Sequence, residues 1–235
     1  KAWDKWGYNS NVDIATSPEV VWSPGGNLTI LTTASTLSFV STSAADIDGG
    51  TGAHGVVVYG VDADRKARVE VVMLNGTTPV VTTSTWLGIN RVSLYLSGSG
   101  QVNAGSINVT AVTGGSTQAQ IPATTGSTQQ AIFFTEADHK ALMDFLMINI
   151  VRLSGGGGDP VVTIRGWVYS AVSNSRFEIF RYIMDTAIEN TVQLNPSHPF
   201  TIGEKSVFYL TASSDKDNTS VAVRFSLLQI ANTNF

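Results

Sequence analysis

Between Gly49 and Ala111, short runs of β-branched and aromatic residues alternate with polar ones and are cut at near-regular intervals by turn-forming residues. A repeat of two buries one face of a pleated strand. It cannot bury one face of a helix, whose repeat is about 3.6. The alternation runs through Val56–Val58 and through Val69, Val71 and Met73, with reversals at Asp62-Ala63-Asp64 and Asn75-Gly76. Asn75-Gly76 is the sharpest of these, because a type I′ hairpin needs positive φ at both central residues. Strand signals are read at residues 36–42, 55–61, 67–74, 80–83, 90–96, 106–112 and 118–121. Their spacing of roughly eight to twelve residues is that of a sandwich or barrel.

Composition narrows the function classes. Only 14% of residues are charged, against roughly 25% in ordinary soluble domains. The net charge is −4 and the Lys and Arg residues are scattered. No basic stripe is therefore expected to displace phosphate counterions, and nucleic acid is excluded as a partner. With no cysteine, a disulfide framework, thiolate chemistry and zinc–cysteine sites are excluded. No apolar run approaches the roughly 20 residues of a membrane-spanning helix, so no membrane partner is expected. The chain opens on Lys1 rather than Met, and some processing or numbering choice is expected to precede it.

A chain of 235 residues suits two domains of ordinary size. The polar, charge-free stretch between Val112 and Gln130 supplies the boundary, placed at residues 122–127. Residues 1–35 read as an N-terminal arm and first strands, with a strand signal at 28–32 and with Trp3, Trp6, Tyr8 and Trp22 concentrated in it. Residues 36–122 form the first β-sandwich. In residues 123–235, strand signals at 131–135, 142–153, 161–171, 176–184, 191–194, 200–202, 206–212 and 221–230 give the eight strands of a jelly roll. Residues 136–143 read as a turn, and Gly155–Gly158 as a flexible hairpin loop. The expected fold is therefore all-β: two consecutive β-sandwich, jelly-roll-like domains with an extended aromatic N-terminal arm.

Chemistry-bearing motifs are sparse. His54, His139 and His198 stand alone, without the spacing of a metal site, and no metal or other cofactor is expected. Gly98-Ser99-Gly100 lacks the frame of a nucleophile elbow. Asp46-Ile47-Asp48-Gly49-Gly50 resembles the start of a calcium loop but has no closing Glu, and reads as a capped turn. Glu178, Asp185 and Glu189 are available acids with nothing to pair them for glycoside hydrolysis. No catalytic residue is assigned, and the chain is expected not to be an enzyme.

One segment carries a resemblance. Gly52-Ala53-His54-Gly55-Val56-Val57-Val58-Tyr59-Gly60-Val61-Asp62-Ala63-Asp64, followed by Val72-Met73-Leu74-Asn75-Gly76-Thr77-Thr78-Pro79-Val80, resembles a β-rich virion structural protein family of tailed, marine-type bacteriophages. Ile89-Asn90-Arg91, residues 103–110 and Ala119-Gln120-Ile121-Pro122 continue it; the likeness is close from about Trp3 to residue 122 and looser after it. It implies a virion component and brings no catalytic residues.

The chain is accordingly expected to be a non-enzymatic virion protein. A capsid decoration or cement protein is the narrower expectation, partnered by other virion proteins of capsid or tail and by copies of itself, such as a trimer. Trp3, Trp6, Tyr8 and Trp22 are the assembly contacts of an arm whose removal should leave both domains folded. The alternative is a tail-associated or fibre-tip carbohydrate- or receptor-binding module. Jelly rolls hold sugars on aromatic faces, and Trp86, Tyr95, Trp167, Tyr169 and Tyr182 would be its contacts.

Overall fold

The computed structural model describes residues 1–13, 17–152 and 158–232; Gly155, Gly156 and Gly157 of the expected hairpin loop lie outside them. Among the described residues the chain forms seventeen strands and no helix, and so no helix able to cross a membrane. The all-β expectation holds.

In chain order, β1 (Ala2–Val12) and β2 (Glu19–Val20) come first. A group of seven follows: β3 (Leu37–Ser41), β4 (Ala53–Val61), β5 (Ala67–Met73), β6 (Val80–Val81), β7 (Gly88–Ser97), β8 (Ile107–Ala111) and β9 (Thr117–Ile121). The last eight are β10 (Ile132–Phe134), β11 (His139–Arg152), β12 (Val161–Ser170), β13 (Ser175–Asp185), β14 (Thr191–Leu194), β15 (Phe200–Ile202), β16 (Ser206–Ser214) and β17 (Thr219–Ala231). Residues 28–32, expected as a strand, belong to none.

The chain divides into two compact units, one of Lys1–Asn27 with Gln130–Phe235 and the other of Leu28–Gln129. They are not consecutive, as the boundary at 122 implied. The second is inserted into the first, because β1 and β2 pair with strands from the far end of the chain. Local patterning cannot show a pairing across more than 200 residues.

The discontinuous unit has two antiparallel sheets. One runs β1-β17-β11-β14, with β15 also on β11; the other runs β10-β16-β12-β13, with β2 also on β16. Their facing side chains form one core. Phe208 of β16 meets Phe225 of β17 edge to face at 5.3 Å, and Trp3 of β1 meets Phe133 of β10 at 5.7 Å. Both Phe208 and Phe225 are fully buried. β2 and β10 take adjacent places on β16, with Val20 opposite Thr211 and Ile132 opposite Tyr209. The chain thus leaves the unit and re-enters it at one edge, a geometry that tolerates insertion of a domain.

The N-terminal segment is not an extended arm. β1 lies along β17 from Ala2 opposite Leu228 to Val12 opposite Thr219. Gly7 sits where this strand passes the backbone of the other sheet: a Cβ there would lie 2.5 Å from the Ala131 nitrogen and 2.6 Å from the Val21 carbonyl oxygen. Trp3 and Trp22 are core residues, 7% and 1% exposed. Deleting residues 1–22 would therefore remove a sheet edge and two core indoles, contrary to the expectation that both domains survive it.

The inserted unit pairs a sheet β6-β3-β8-β9 with a sheet β5-β4-β7. Leu37, Phe39, Ile107 and Val109 from one meet Val56, Val58, Val72 and Val92 from the other in a single core. Val72 faces inward because it lies opposite fully buried Val56, which turns Val69, Val71 and Met73 outward, at 57%, 43% and 43% exposed. The Asn75-Gly76 reversal is not type I′. Gly76 alone of the pair has positive φ, and the Thr78 amide donates to the Asn75 carbonyl. Gly76 is thus the first central residue, as in a type II′ turn.

Asp46, read as part of a capped turn, is the clasp of this unit. Its fully buried carboxylate accepts from Ser41 Oγ at 2.5 Å and from the amides of Ala53, Ala104 and Gly105 at 2.7, 2.8 and 2.9 Å. Gly52 leaves room for it, since a Cβ would fall 2.1 Å from Asp46 Oδ1. Burial by itself raises the pKa, but the hydroxyl and the three amides outweigh it and hold the group below the ordinary value of 3.8. Its ionised form therefore stabilises the fold fully above the unfolded-chain pKa, and this contribution is lost as pH falls through the lower folded one. Asp46→Asn presents an amide NH₂ to backbone donors and should cost about 2–3 kcal/mol at neutral pH. Urea denaturation from pH 7 downward should also show the variant losing less stability than the native chain on acidification.

Candidate functional site

The side of the β1-β17-β11 sheet turned away from the core carries the strongest candidate. Strand parity builds it. In β1, Trp3, Lys5, Gly7 and Asn9 point inward, leaving Asp4, Trp6 and Tyr8 on the other face. In β17, Val221, Val223, Phe225 and Leu227 are buried, and Arg224, Ser226 and Leu228 take the outer positions. Register then aligns three rows across the sheet: Trp6–Arg224–Met147, Asp4–Ser226–Phe145 and Ala2–Leu228–Leu142.

Apolar and aromatic groups dominate these rows. Trp6 is 47% and Leu228 45% exposed, while Tyr8, Leu142, Phe145 and Met147 are half-buried. The Trp6 and Tyr8 rings stack with centroids 6.2 Å apart. One ion pair interrupts the face: Arg224 Nε and Nη2 donate to Asp4 Oδ1 and Oδ2 at 3.1 and 2.7 Å. This forked bond to Asp4 raises the Arg224 pKa and holds the guanidinium diagonally across the rows. A bulge in β11 between Met143 and Phe145 leaves Asp144 unpaired, and Ser226 Oγ donates to its Oδ1 at 2.8 Å. The result is an open groove of about 840 Å³ lined by Ala2, Trp3, Asp4, Asp144, Phe145, Asn195, Arg224, Ser226, Leu227 and Leu228. No histidine lines it, and both of its carboxylates are engaged. It offers apolar surface at Phe145 and Leu228 interleaved with hydrogen-bonding groups at Asp4, Asn195, Arg224 and Ser226.

The four aromatic residues expected to make assembly contacts divide by parity. Trp6 and Tyr8 lie on this face. Trp3 is in the core, and the Trp22 indole N–H donates to the Gly25 carbonyl at 2.8 Å inside it. The five residues of the carbohydrate alternative are not brought together. Trp86 is fully buried in the inserted unit and Tyr95, in the same unit, is 55% exposed. Trp167 and Tyr169 share the outer side of β12, where Trp167 is covered by Arg176, its guanidinium 4.6 Å from the ring centre. Tyr182 lies opposite core residue Ile164, on the other side of that sheet. Arg224, Phe145, Met147 and Leu228 escaped the sequence reading. The alternation of β17 signals their outward position, but not that β17 lies beside β1. Among the described residues no three His, Asp or Glu gather as a metal site.

No family model matches the chain, and no curated protein is similar to it. Two solved structures cover all of it. A structure of infectious bursal disease virus, Gt strain, is 10% identical over 73% of that chain with a TM-score of 0.21. A mutant VP2 protein of infectious bursal disease virus, in derived T=1 particles, is 9% identical over 74% with a TM-score of 0.15. Likeness this low carries no argument about fold or role.

Core and face are separable by substitution. Trp3→Ala should destabilise the protein by about 3–5 kcal/mol through the cavity it leaves against Phe133. Trp6→Ala should change stability by no more than about 1 kcal/mol. Chemical denaturation of the two variants checks both values.

Proposed function

We propose that this chain is a non-enzymatic structural protein of a tailed-bacteriophage particle, acting as a capsid decoration or cement protein and partnered by other virion proteins and copies of itself. The observation that carries the reading is the outer face of the β1-β17-β11 sheet. A stacked Trp6–Tyr8 pair and exposed Leu228 surround a single ion pair on a rigid hydrogen-bonded sheet. A largely apolar exposed face crossed by one ion pair is the kind of surface that another protein covers.

Topology supports it. Counting β2 with β10 and β14 with β15 as single positions, the discontinuous unit has eight positions in the orders 1-8-3-6 and 2-7-4-5. We read this as a jelly roll, and the inserted unit as a second, seven-stranded sandwich. The resemblance of residues 3–122 to phage virion proteins points to the same class. The reading places the chain in the virion.

Trp6→Glu puts a charge into the aromatic part of the face without entering the core. Mass spectrometry of purified particles should detect the native chain and find the variant strongly depleted; absence of the native chain from particles would sink the proposal. The tail-associated receptor-binding alternative is favoured by one observation, the Trp167–Arg176 platform beside Tyr169. In that case a glycan array should register binding that Trp167→Ala removes.

A further inference from the structure

The three most exposed large hydrophobic residues among those described are Ile188, Ile183 and Val172, at 86%, 67% and 67%. All three lie on β13 or in the turns that flank it, and Phe177 of the same strand is 48% exposed. β13 is also an edge, pairing only with β12. The other edges of this unit are guarded. β14 and β15 have four and three residues, and β2 and β10 two and three. β1 turns Lys5 inward and runs, at Gly7, against the backbone of Val21 and Ala131. β13, eleven residues long, leaves the outward-pointing half of its backbone donors and acceptors without a strand partner.

A bulge in this strand selects a partner. Gly166 lies opposite Phe180 and Trp167 opposite Glu178, so Ile179 has no counterpart. As a consequence Arg176, Glu178, Arg181 and Ile183 fall on the outer side of the sheet, and Phe177, Phe180 and Tyr182 on the inner side. This pattern is its own mirror about a point between Ile179 and Phe180. An antiparallel copy centred there keeps outer residues opposite outer residues on both sides of the bulge.

We propose that two copies of this chain join edge to edge along β13, about a twofold axis between Ile179 and Phe180, making one continuous antiparallel sheet. In that register Glu178 lies opposite Arg181 of the second copy, twice over by symmetry. Opposite charges directly across strands favour the register, whereas like charges would oppose it. Within one chain Arg181 already donates to Glu178 at 2.9 and 3.1 Å, so pairing links the two ion pairs into a four-membered set. Phe177 meets Tyr182 of the second copy on the inner side, and Ile183 covers the stem of Arg176 on the outer side. Continuing the register past the strand ends sets the Ile188 turn against the turn holding Val172. The contact is isologous and closes on itself, which suits a defined dimer and not a filament. It specifies the self-association in the virion reading but does not require that reading, because it forms in solution.

Sedimentation equilibrium of the purified full chain tests it. The native protein should be a dimer. Ile183→Lys, which sets a lysine opposite Arg176 of the second copy at a position exposed in the single chain, should give a monomer with unchanged circular dichroism. Glu178→Arg should weaken the dimer about tenfold, and the combination Glu178→Arg with Arg181→Glu should restore it. A native chain that stays monomeric up to its solubility limit overturns the proposal, as does a dimer indifferent to both single substitutions. Absence of the chain from particles leaves this pairing standing, and a monomer in solution leaves the virion reading standing.

Discussion

The discontinuous unit depends on β17 pairing with β1 on one side and β11 on the other. Thirteen residues of β11 pair with β17, and on its other side Ala2–Asn9 and Val12 of β1 pair with it. This ladder satisfies the backbone of the two longest strands and aligns Val221, Val223, Phe225 and Leu227 against the second sheet. An unpaired strand in that position would leave buried amides without acceptors, at a cost comparable to lost hydrogen bonds. The contact joins residues more than 200 apart in sequence, so it carries a large loop-closure entropy. Inserting a separately cored unit between β2 and β10 eases this, because Leu28–Gln129 shortens its own path by folding.

The same pairing creates the candidate site. Once β1 lies on β17, parity sends the Trp3 indole inward and the Trp6 indole outward. Trp3 packs on Phe133, while Trp6 stacks on Tyr8 beside Arg224. The bulge at Asp144 adds curvature and a polar rim where Ser226 can reach it. Candidate site and core are thus two faces of one strand, and a register slip of one residue would exchange them.

Much of the strand inventory was legible, because period-two patterning is local. Residues 36–42, 161–171, 191–194 and 200–202 are read within a residue or two of β3, β12, β14 and β15. β1 was not read as a strand, since its aromatic residues fall at both parities and resemble an arm. The phase of β5 was lost as well: Val69, Val71 and Met73 form a clean apolar alternation, yet Val72 is the buried residue because Val56 stands opposite. Of the site, Trp6 and Tyr8 were visible as aromatic side chains needing burial, whereas Arg224 and Leu228, more than 200 residues away, were not.

The sequence by itself determined that this chain is all-β, where most of its strands lie, that it has no cysteine chemistry, and that its sparse charge leaves hydroxyl-rich and apolar faces. These follow from side-chain stereochemistry and period, which act over a few residues. Only the tertiary structure decided that one unit is inserted in the other, that Trp3 and Trp22 belong to the core while Trp6 does not, and that the bulge of β13 makes its edge self-complementary. Those outcomes depend on which strand lies beside which. That choice is made by burial and hydrogen bonding summed over the whole fold, with no local signature.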